Sequence, residues 1–147
     1  MLGYYGNDEA TQNAMAPGNW MHTGDIATRD EDNYFTIVDR KKDMILTAGY
    51  NVYPAELERV ICGHRAVALA AVGRIPDEAR GELAKAYVVL KPNAQASGQE
   101  IVDFCRETLA AYKLPRAVQF VDSVPQTSSG KIMRRLLSEI DDGNRAL

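Results

Sequence analysis

The sequence predicts an α+β fold in which a small mixed sheet is covered by helices. Short apolar runs of β type alternate along the chain with stretches whose apolar residues recur at helical spacing. Of the 147 residues, 46% are hydrophobic and 25% are charged, as in an ordinary globular domain with a core of its own. The sequence also contains no internal repeat and no low-complexity tract.

The N-terminal part of the sequence is polar, and the first predicted strands follow it. Residues 1–29 are poor in aliphatic side chains, so we expect this stretch to depend on packing against something else. A turn cluster at Asp30–Asn33 precedes a predicted strand at Tyr34–Val38, and a second short strand is predicted at Met44–Thr47. The next four residues, Ala48–Asn51, have the composition of a tight loop.

A helix is predicted to begin at Pro54, because proline is tolerated in the first turn, where its missing N–H has no helical partner. Leu57 and Ile61 form part of an apolar stripe at helical spacing. Glu56 and Glu58 lie near the N-terminal end of this helix, which favours negative charge.

The remaining elements continue the alternation of strands and helices. Periodicity and turn residues predict, in chain order, strands at Ala66–Val72 and Ala84–Leu90 separated by a polar loop, a helix over Gly98–Tyr112, a strand at Val118–Val121 and a final amphipathic helix over Ile132–Ile140.

Net charge limits the classes of partner. The formal charge is −3 and the pI is about 5.4, which argues against a general nucleic-acid or membrane-surface binder. No apolar run approaches the roughly 18–20 residues of a membrane span. We therefore expect no nucleic-acid partner and no transmembrane segment.

The two cysteines indicate the redox state of the cellular compartment. Cys62 and Cys105 both fall in apolar helical patterns, and we interpret them as free, buried thiols of a reducing cytoplasm. A disulfide between them is the less favoured alternative. No Cys/His cluster accompanies them, so we expect no metal site in this chain, and the start of the sequence lacks a signal-peptide pattern.

The most informative motif is PQTSSGKIMRR, at Pro125–Arg135. A Gly-Ser loop that ends in Lys131 and continues into an amphipathic run can deliver one positive charge into a cleft. A phosphate-binding P-loop is excluded, because that motif needs glycine where Pro125 stands and Ser or Thr where Ile132 stands. A solvated surface loop is the alternative.

Two further motifs precede this loop. They are HTGD at His22–Asp25 and DRKKDMILTAGYNVYPAELE at Asp39–Glu58. With these three motifs in this order, nearly the whole chain resembles the adenylate-forming enzymes, and most closely the medium- and long-chain fatty acyl-CoA synthetases among them.

The resemblance implies a division of the chain. Residues 1–41 look like the C-terminal edge of the family's large ATP-binding lobe, and residues 42–147 look like its small, mobile C-terminal lobe. The large lobe's Ser/Thr/Gly-rich phosphate loop, adenine-binding strand and acyl pocket do not occur in this sequence. We therefore expect the chain to be a fragment, inactive by itself, of a longer ligase.

The resemblance implies a reaction in two steps. In the first half-reaction, a carboxylate attacks the α-phosphate of ATP, which releases pyrophosphate and forms an acyl-adenylate. Lys131 would be the catalytic cation, and Asp25 and Arg40 would bind ATP or AMP through the ribose or a phosphate. The alternatives are a turn or N-cap aspartate for Asp25 and a surface ion pair for Arg40.

For the second half-reaction, the resemblance implies that the small lobe rotates about a hinge at Lys42. The segment around Gly49 would then face the adenylate, and Gly49 would let the pantetheine arm of CoA pass close to the backbone. Tyr112, Lys113 and Arg116 would contact the CoA nucleotide. Ordinary roles remain open, a turn glycine for Gly49 and a basic helix C-terminus for the other three.

The implied substrates and cofactors are a carboxylic acid, ATP, CoA and Mg²⁺, with Mg²⁺ bound mainly by the large lobe. A homodimer is also considered. Two other functions stay open: an acyl-AMP ligase or adenylation domain that loads a carrier protein, and an interaction module without catalysis.

Overall fold

The computed structural model of this chain describes residues 1–144, with side chains described as far as Asp141. It divides the chain into two compact units, Met1–Lys42 and Asp43–Leu147. The division lies one residue beyond the boundary expected between residues 41 and 42. That the first unit belongs to a larger lobe stays a prediction.

The first unit contains one short helix and two small antiparallel ribbons. The helix begins after Asn7, whose side-chain oxygen accepts a hydrogen bond from the Ala10 amide at 2.9 Å. Among residues 1–42, all of them described, Asp39 alone is buried, so this unit has almost no core of its own. Its elements are α1 (Asp8–Ala14), β1 (Met15–Ala16) paired with β2 (Trp20–Met21), and β3 (Asp25–Arg29) paired with β4 (Phe35–Arg40).

The second unit is built on a mixed sheet. Its elements are β5 (Ile45–Thr47), β6 (Tyr50–Val52), α2 (Pro54–Cys62), β7 (Val67–Asp77), β8 (Gly81–Leu90), α3 (Gly98–Arg106), β9 (Ala117–Phe120), a 3-10 turn (Arg134–Leu136) and α4 (Leu137–Asn144). The strand order is β6-β5-β8-β7, and β9 also pairs with β8. All pairings are antiparallel except that of β8 with β9. The predicted α+β fold with a small mixed sheet is confirmed.

Alternation along the central strands gives the sheet two apolar faces. Val72 and Ala86 belong to a cluster that includes buried side chains of α2 and α3. Their neighbours Ala71 and Tyr87 belong to a second cluster, which contains Leu137 of α4. Helices α2 and α3 therefore cover one face, and α4 covers the other.

Helix α2 forms where the sequence predicted it. Pro54 stands in its first turn, and the predicted apolar stripe buries Leu57 and Ile61 completely. Glu58 is also buried, with 9% of its surface exposed. A buried carboxylate on the core side of a helix requires a partner, which is described with the site below.

Helix α4 is fixed to its face of the sheet by close packing and a polar cluster. A Cβ atom at Gly73 would lie only 3.2 Å from Leu137 Cδ1. The Asp141 carboxylate accepts a hydrogen bond from the Tyr87 hydroxyl at 2.8 Å and forms an ion pair with Lys85. Burial and the Asp141 carboxylate together raise the pKa of Tyr87 well above its ordinary value.

Two segments predicted as loops are partly strand. The polar loop predicted between β7 and β8 is mostly strand, because Asp77 accepts hydrogen bonds from the amides of Ala79 and Arg80 and closes a short turn. The loop predicted at Ala48–Asn51 is a tight turn that leads directly into β6.

The later helices also differ from their predicted bounds. Helix α3 ends at Arg106 rather than at Tyr112, although Leu109 beyond it is still buried. The final predicted helix begins later, at Arg134, as a 3-10 turn before α4. Apolar spacing identified buried residues such as Leu109 and Leu137 in these segments, but it overestimated helix length.

The cysteines are free, and one differs from expectation. Cys105 is fully buried, and burial raises the pKa of its thiol to about 11. Cys62 is exposed, so the prediction that both thiols are buried was wrong for this residue. No helix within residues 1–144 is long and apolar enough to cross a membrane.

Candidate functional site

Lys131 lies at the end of an exposed loop that closes on itself. An antiparallel bridge joins Gln126 to Ile132 at the base of the loop. The Thr127 amide donates to the Lys131 carbonyl at 2.9 Å, and the Lys131 amide donates to the Thr127 hydroxyl at 3.1 Å. Gly130 has φ of +79°, in the left-handed region that favours glycine. The backbone of Lys131 is therefore held by Thr127, while the residue remains exposed.

The downstream end of this loop is anchored by Arg134. Its guanidinium donates to the Glu58 carboxylate through two bonds, Nε to Oε1 at 3.0 Å and Nη2 to Oε2 at 2.6 Å. A third bond runs from Nη1 to Asp43 Oδ2 at 3.2 Å. Glu58 Oε1 also accepts the buried amide of Val72 at 2.9 Å.

Asp25 and Arg40, the two predicted nucleotide-binding residues, are brought together. They are cross-strand partners in the β3–β4 ribbon, and Arg40 Nε lies 3.1 Å from Asp25 Oδ1. The amide of Asp25 donates to the Thr23 hydroxyl at 3.1 Å, which fixes the start of β3. The two side chains are 25% and 45% exposed, so the pair is open to solvent. The surface ion pair considered for Arg40 is thus present, and the ribose role stays a prediction.

Lys42 lies in the turn between β4 and β5 and is exposed. It is the last residue of the first unit, and Asp43 is the first residue of the second. Lys42 therefore lies at the boundary of the two units, and its role as a hinge stays a prediction.

Gly49 occupies the tip of the β5–β6 hairpin. Ala48 and Gly49 have φ of +49° and +85°, the pattern of a two-residue type I′ turn. The backbone conformation rather than lack of space favours glycine, because a Cβ atom at Gly49 would meet nothing within 4 Å. The Ala48 amide donates to the Arg80 carbonyl at 2.8 Å, which attaches this exposed tip to the β7–β8 hairpin.

Tyr112 is stacked on Tyr50, the residue that follows Gly49. The ring centroids are 4.6 Å apart and the rings are inclined by 24°. Tyr50 is 56% exposed and Tyr112 is 37% exposed, so the stack presents aromatic surface to solvent. The predicted CoA residues Gly49 and Tyr112 are therefore close together, with Tyr50 between them.

Lys113 and Arg116 differ in their hydrogen-bond partners. The Lys113 ammonium donates to both oxygens of Glu56, at 2.7 and 2.8 Å. It thus links the segment after α3 to α2. Arg116 is exposed, and its guanidinium makes one long hydrogen bond, 3.3 Å, to the Ala111 carbonyl.

The Lys131 loop and the Tyr112 segment pack on opposite faces of the sheet. Ile132 packs against the cluster on the α4 face. Leu109 and Leu114, on either side of Tyr112, belong to the cluster on the α2–α3 face. The two predicted sites are therefore attached to opposite faces of one sheet.

Sequence reasoning missed several residues of this arrangement. Glu58 shares the apolar side of α2 with Leu57 and Ile61, a position that signals a paired buried charge. No comparable local signal marked the others, which include Asp43, Tyr50, Glu56 and Arg134.

The family described as AMP-binding enzyme C-terminal domain matches residues 56–131, slightly more than half of the chain. The match begins in α2 and ends on Lys131, so it includes Tyr112, Lys113 and Arg116.

Individual relatives extend the similarity to nearly the whole chain. A CoA ligase of Rhodococcus jostii, named for a 7a-methyl-1,5-dioxo-octahydroindenyl propanoyl group, is 46% identical over 139 residues, 95% of this chain and 27% of that protein. A long-chain-fatty-acid–CoA ligase of Bacillus subtilis is 44% identical over 144 residues, 98% of this chain and 26% of that protein. The crystal structure of ATP-bound MatB from Rhodopseudomonas palustris has a TM-score of 0.88 at 33% identity, covering 94% of this chain and 27% of that one.

The chain spans about a quarter of the length of these relatives. Family match and structural similarity agree on the same lobe, and they confirm the resemblance drawn from the three motifs. The chain belongs to the family of AMP-binding enzyme C-terminal domains, the C-terminal lobes of adenylate-forming enzymes.

Proposed function

We propose that this chain is the C-terminal part of an ATP-dependent ligase that joins a carboxylic acid to the thiol of CoA. The observation that carries the proposal is the Lys131 loop, which holds an exposed cation on a backbone fixed by Thr127 and Arg134. The rest of the ligase would be a large lobe that binds ATP and the acid.

In the first half-reaction, an oxygen of the acid attacks the α-phosphorus of ATP, and pyrophosphate leaves to give an acyl-adenylate. Negative charge gathers on the carboxylate and phosphate oxygens in the transition state, and the Lys131 ammonium stabilises it there. A single ammonium on an exposed loop suits this task, because it can approach for one step and withdraw for the next.

Asp25 and Arg40 would contact the nucleotide in both half-reactions. A carboxylate can accept hydrogen bonds from two adjacent ribose hydroxyls, and Asp25 has oxygen lone pairs beyond the one facing Arg40. Arg40 carries five N–H donors in a planar fork, and its ion pair with Asp25 is made through Nε.

In the second half-reaction, the CoA thiol attacks the acyl carbon, and AMP leaves. Rotation about Lys42 would bring the Gly49 turn to the adenylate, with Tyr112 and Arg116 beside the CoA nucleotide. Lys113 is a weaker candidate for contact with phosphate, because its ammonium would first have to leave Glu56. We assign Lys113 the role of holding the Tyr112 segment against α2.

A fatty acid is the proposed acyl substrate. The similarity to a long-chain-fatty-acid–CoA ligase supports it, although an equally similar relative is named for a different acyl group. Mg²⁺ would accompany the ATP phosphates, and we assign it no ligand in this chain: the described residues contain no group of three or more His, Cys, Asp or Glu side chains that could hold a metal ion. A cytoplasmic location is part of the same proposal.

The direct test compares the full-length protein with the 147-residue chain alone. The full-length protein should catalyse ATP–pyrophosphate exchange that depends on a fatty acid, and should form acyl-CoA when CoA is added. The isolated chain should do neither, because the proposed ATP-binding lobe is not part of it. Transfer to a carrier protein but not to CoA would contradict the proposal, and so would exchange by the isolated chain.

Tyr112 gives a prediction for the CoA surface. Tyr112→Ala in the full-length protein should raise the KM for CoA about tenfold, because stacking of a base on an aromatic ring contributes about 1–3 kcal/mol. The KM for ATP should not change. Tyr112→Phe, which keeps the ring, is the matched control and should behave like the unmodified protein. An unchanged KM for CoA in Tyr112→Ala would remove Tyr112 from the CoA site.

A further inference from the structure

The polar cluster around Arg134 anchors the Lys131 loop but contacts no substrate in the function proposed so far. It unites three segments that are distant in sequence: Arg134 after the Lys131 loop, Glu58 in α2 and Asp43 at the start of the second unit. The three side chains are mostly buried, with 18%, 12% and 21% of their surfaces exposed. We call these three residues the Arg134 clamp.

The geometry of the clamp favours a role in orientation. The Arg134 fork meets Glu58 through two bonds at once, and such a planar arrangement fixes the direction of the guanidinium as well as its position. Glu58 is itself fixed, because its Oε1 accepts the Val72 amide. A buried ion pair is weak evidence for added stability, because apolar residues in its place often stabilise a protein equally well. We therefore assign the clamp the role of fixing one arrangement of its three segments.

The position of the clamp connects it to Lys131. Arg134 is three residues beyond Lys131, and the amide of the intervening Met133 donates to the Pro125 carbonyl at 2.9 Å, which closes the base of the loop. At its other end the clamp reaches Asp43, next to the proposed hinge at Lys42. A single guanidinium thus joins the Lys131 loop to the residue from which the second unit starts.

We propose that Arg134 is a positioning residue, which holds the Lys131 loop in a fixed orientation relative to α2 and to the start of the second unit. The Asp43 bond makes the placement of Lys131 depend on the backbone that follows the hinge. The consequence for catalysis rests on the proposed function, whereas the effect on the loop does not.

The catalytic consequence is selective. Adenylation needs Lys131 within hydrogen-bond distance of the reacting oxygens, and an error of about 1 Å in placement can cost about 100-fold in rate. Thioester formation is assigned to Gly49, Tyr112 and Arg116, which are not members of the clamp. Loss of the clamp should therefore slow adenylation much more than thioester formation from a supplied acyl-adenylate.

The first experiment measures hydrogen exchange in the 147-residue chain itself. Arg134→Lys keeps the charge but loses the fork, and it should speed exchange of the Lys131 and Met133 amides about tenfold, the scale of one charged hydrogen bond. Arg135→Lys, at the exposed neighbouring position, is the matched control and should change neither amide. Equal exchange rates in Arg134→Lys and the unmodified chain would overturn the proposal.

The second experiment measures both half-reactions in the full-length protein. Arg134→Lys should lower adenylation about 10- to 100-fold and leave thioester formation within about twofold. Asp43→Ala removes only the acceptor of Nη1 and keeps the Glu58 fork, so it should fold normally and show a smaller loss with the same selectivity. It keeps the proposal testable if Arg134→Lys proves unstable. Arg135→Lys should leave both rates unchanged.

The outcomes separate this proposal from the proposed function. If the unmodified full-length protein forms no acyl-adenylate, the proposed function fails, and the exchange experiment still decides the role of the clamp. If the unmodified protein is active but the Arg134 and Asp43 variants lose both half-reactions equally, the clamp is merely structural and the proposal is overturned. Selective loss of adenylation together with faster exchange of the loop amides supports it.

Discussion

Replacing Lys131 with alanine in the full-length protein should slow acyl-adenylate formation by about 100- to 1,000-fold, the usual effect of removing one donor that stabilises a developing oxyanion. The loop itself should persist, because the bonds between Thr127 and Lys131 that close it involve only the backbone of Lys131. Conversion of a supplied acyl-adenylate to acyl-CoA should remain near the normal rate, since we assign the lysine side chain to the first half-reaction only.

The measurement is single-turnover kinetics of each half-reaction, with pyrophosphate release for the first and acyl-CoA formation for the second. Ser128→Ala, an exposed position in the same loop, is the matched control and should leave both rates unchanged. An equal loss of both half-reactions in Lys131→Ala would contradict the assignment of the lysine to adenylation alone.

Proline at Lys42 should have the opposite selectivity. Proline fixes φ near −65° and restricts the preceding residue, so the dihedral change needed for rotation of the second unit would be blocked. Adenylation should be nearly normal, and thioester formation should fall about 100-fold, because the Gly49 surface could no longer be presented to the adenylate.

The same two assays test this prediction, with Lys42→Ala as the control. That substitution removes the side chain but leaves φ free, so thioester formation should be retained. If Lys42→Pro instead abolished adenylation and spared the second step, the pivot would have to lie elsewhere in the chain.

The fold could be predicted where sequence periodicity reports burial. The apolar stripe of α2 and the apolar runs of β7 and β8 indicated elements that the structure contains. In the first unit the same approach found little, because α1, β1 and β2 are short and bury no residue. Their structure depends on local hydrogen bonds such as the Asn7 cap, which periodicity does not detect.

The candidate site could be predicted only as separate motifs. The resemblance pointed to Asp25 and Arg40 individually, and the structure adds that they are paired across a ribbon. The Lys113–Glu56 pair joins residues 57 positions apart, and the Arg134–Glu58 pair joins residues 76 positions apart. Such pairings depend on the tertiary fold, so no local spacing rule could have found them.

The most direct measurement of the central claim is a crystal structure of the full-length protein bound to a non-hydrolysable acyl-adenylate analogue in the adenylation arrangement. We predict that Lys131 Nζ lies about 2.7–3.2 Å from an oxygen of the analogue's phosphate or acyl group. A structure in which the lobe is in that arrangement, yet Lys131 points into solvent and another cation contacts these oxygens, would contradict it.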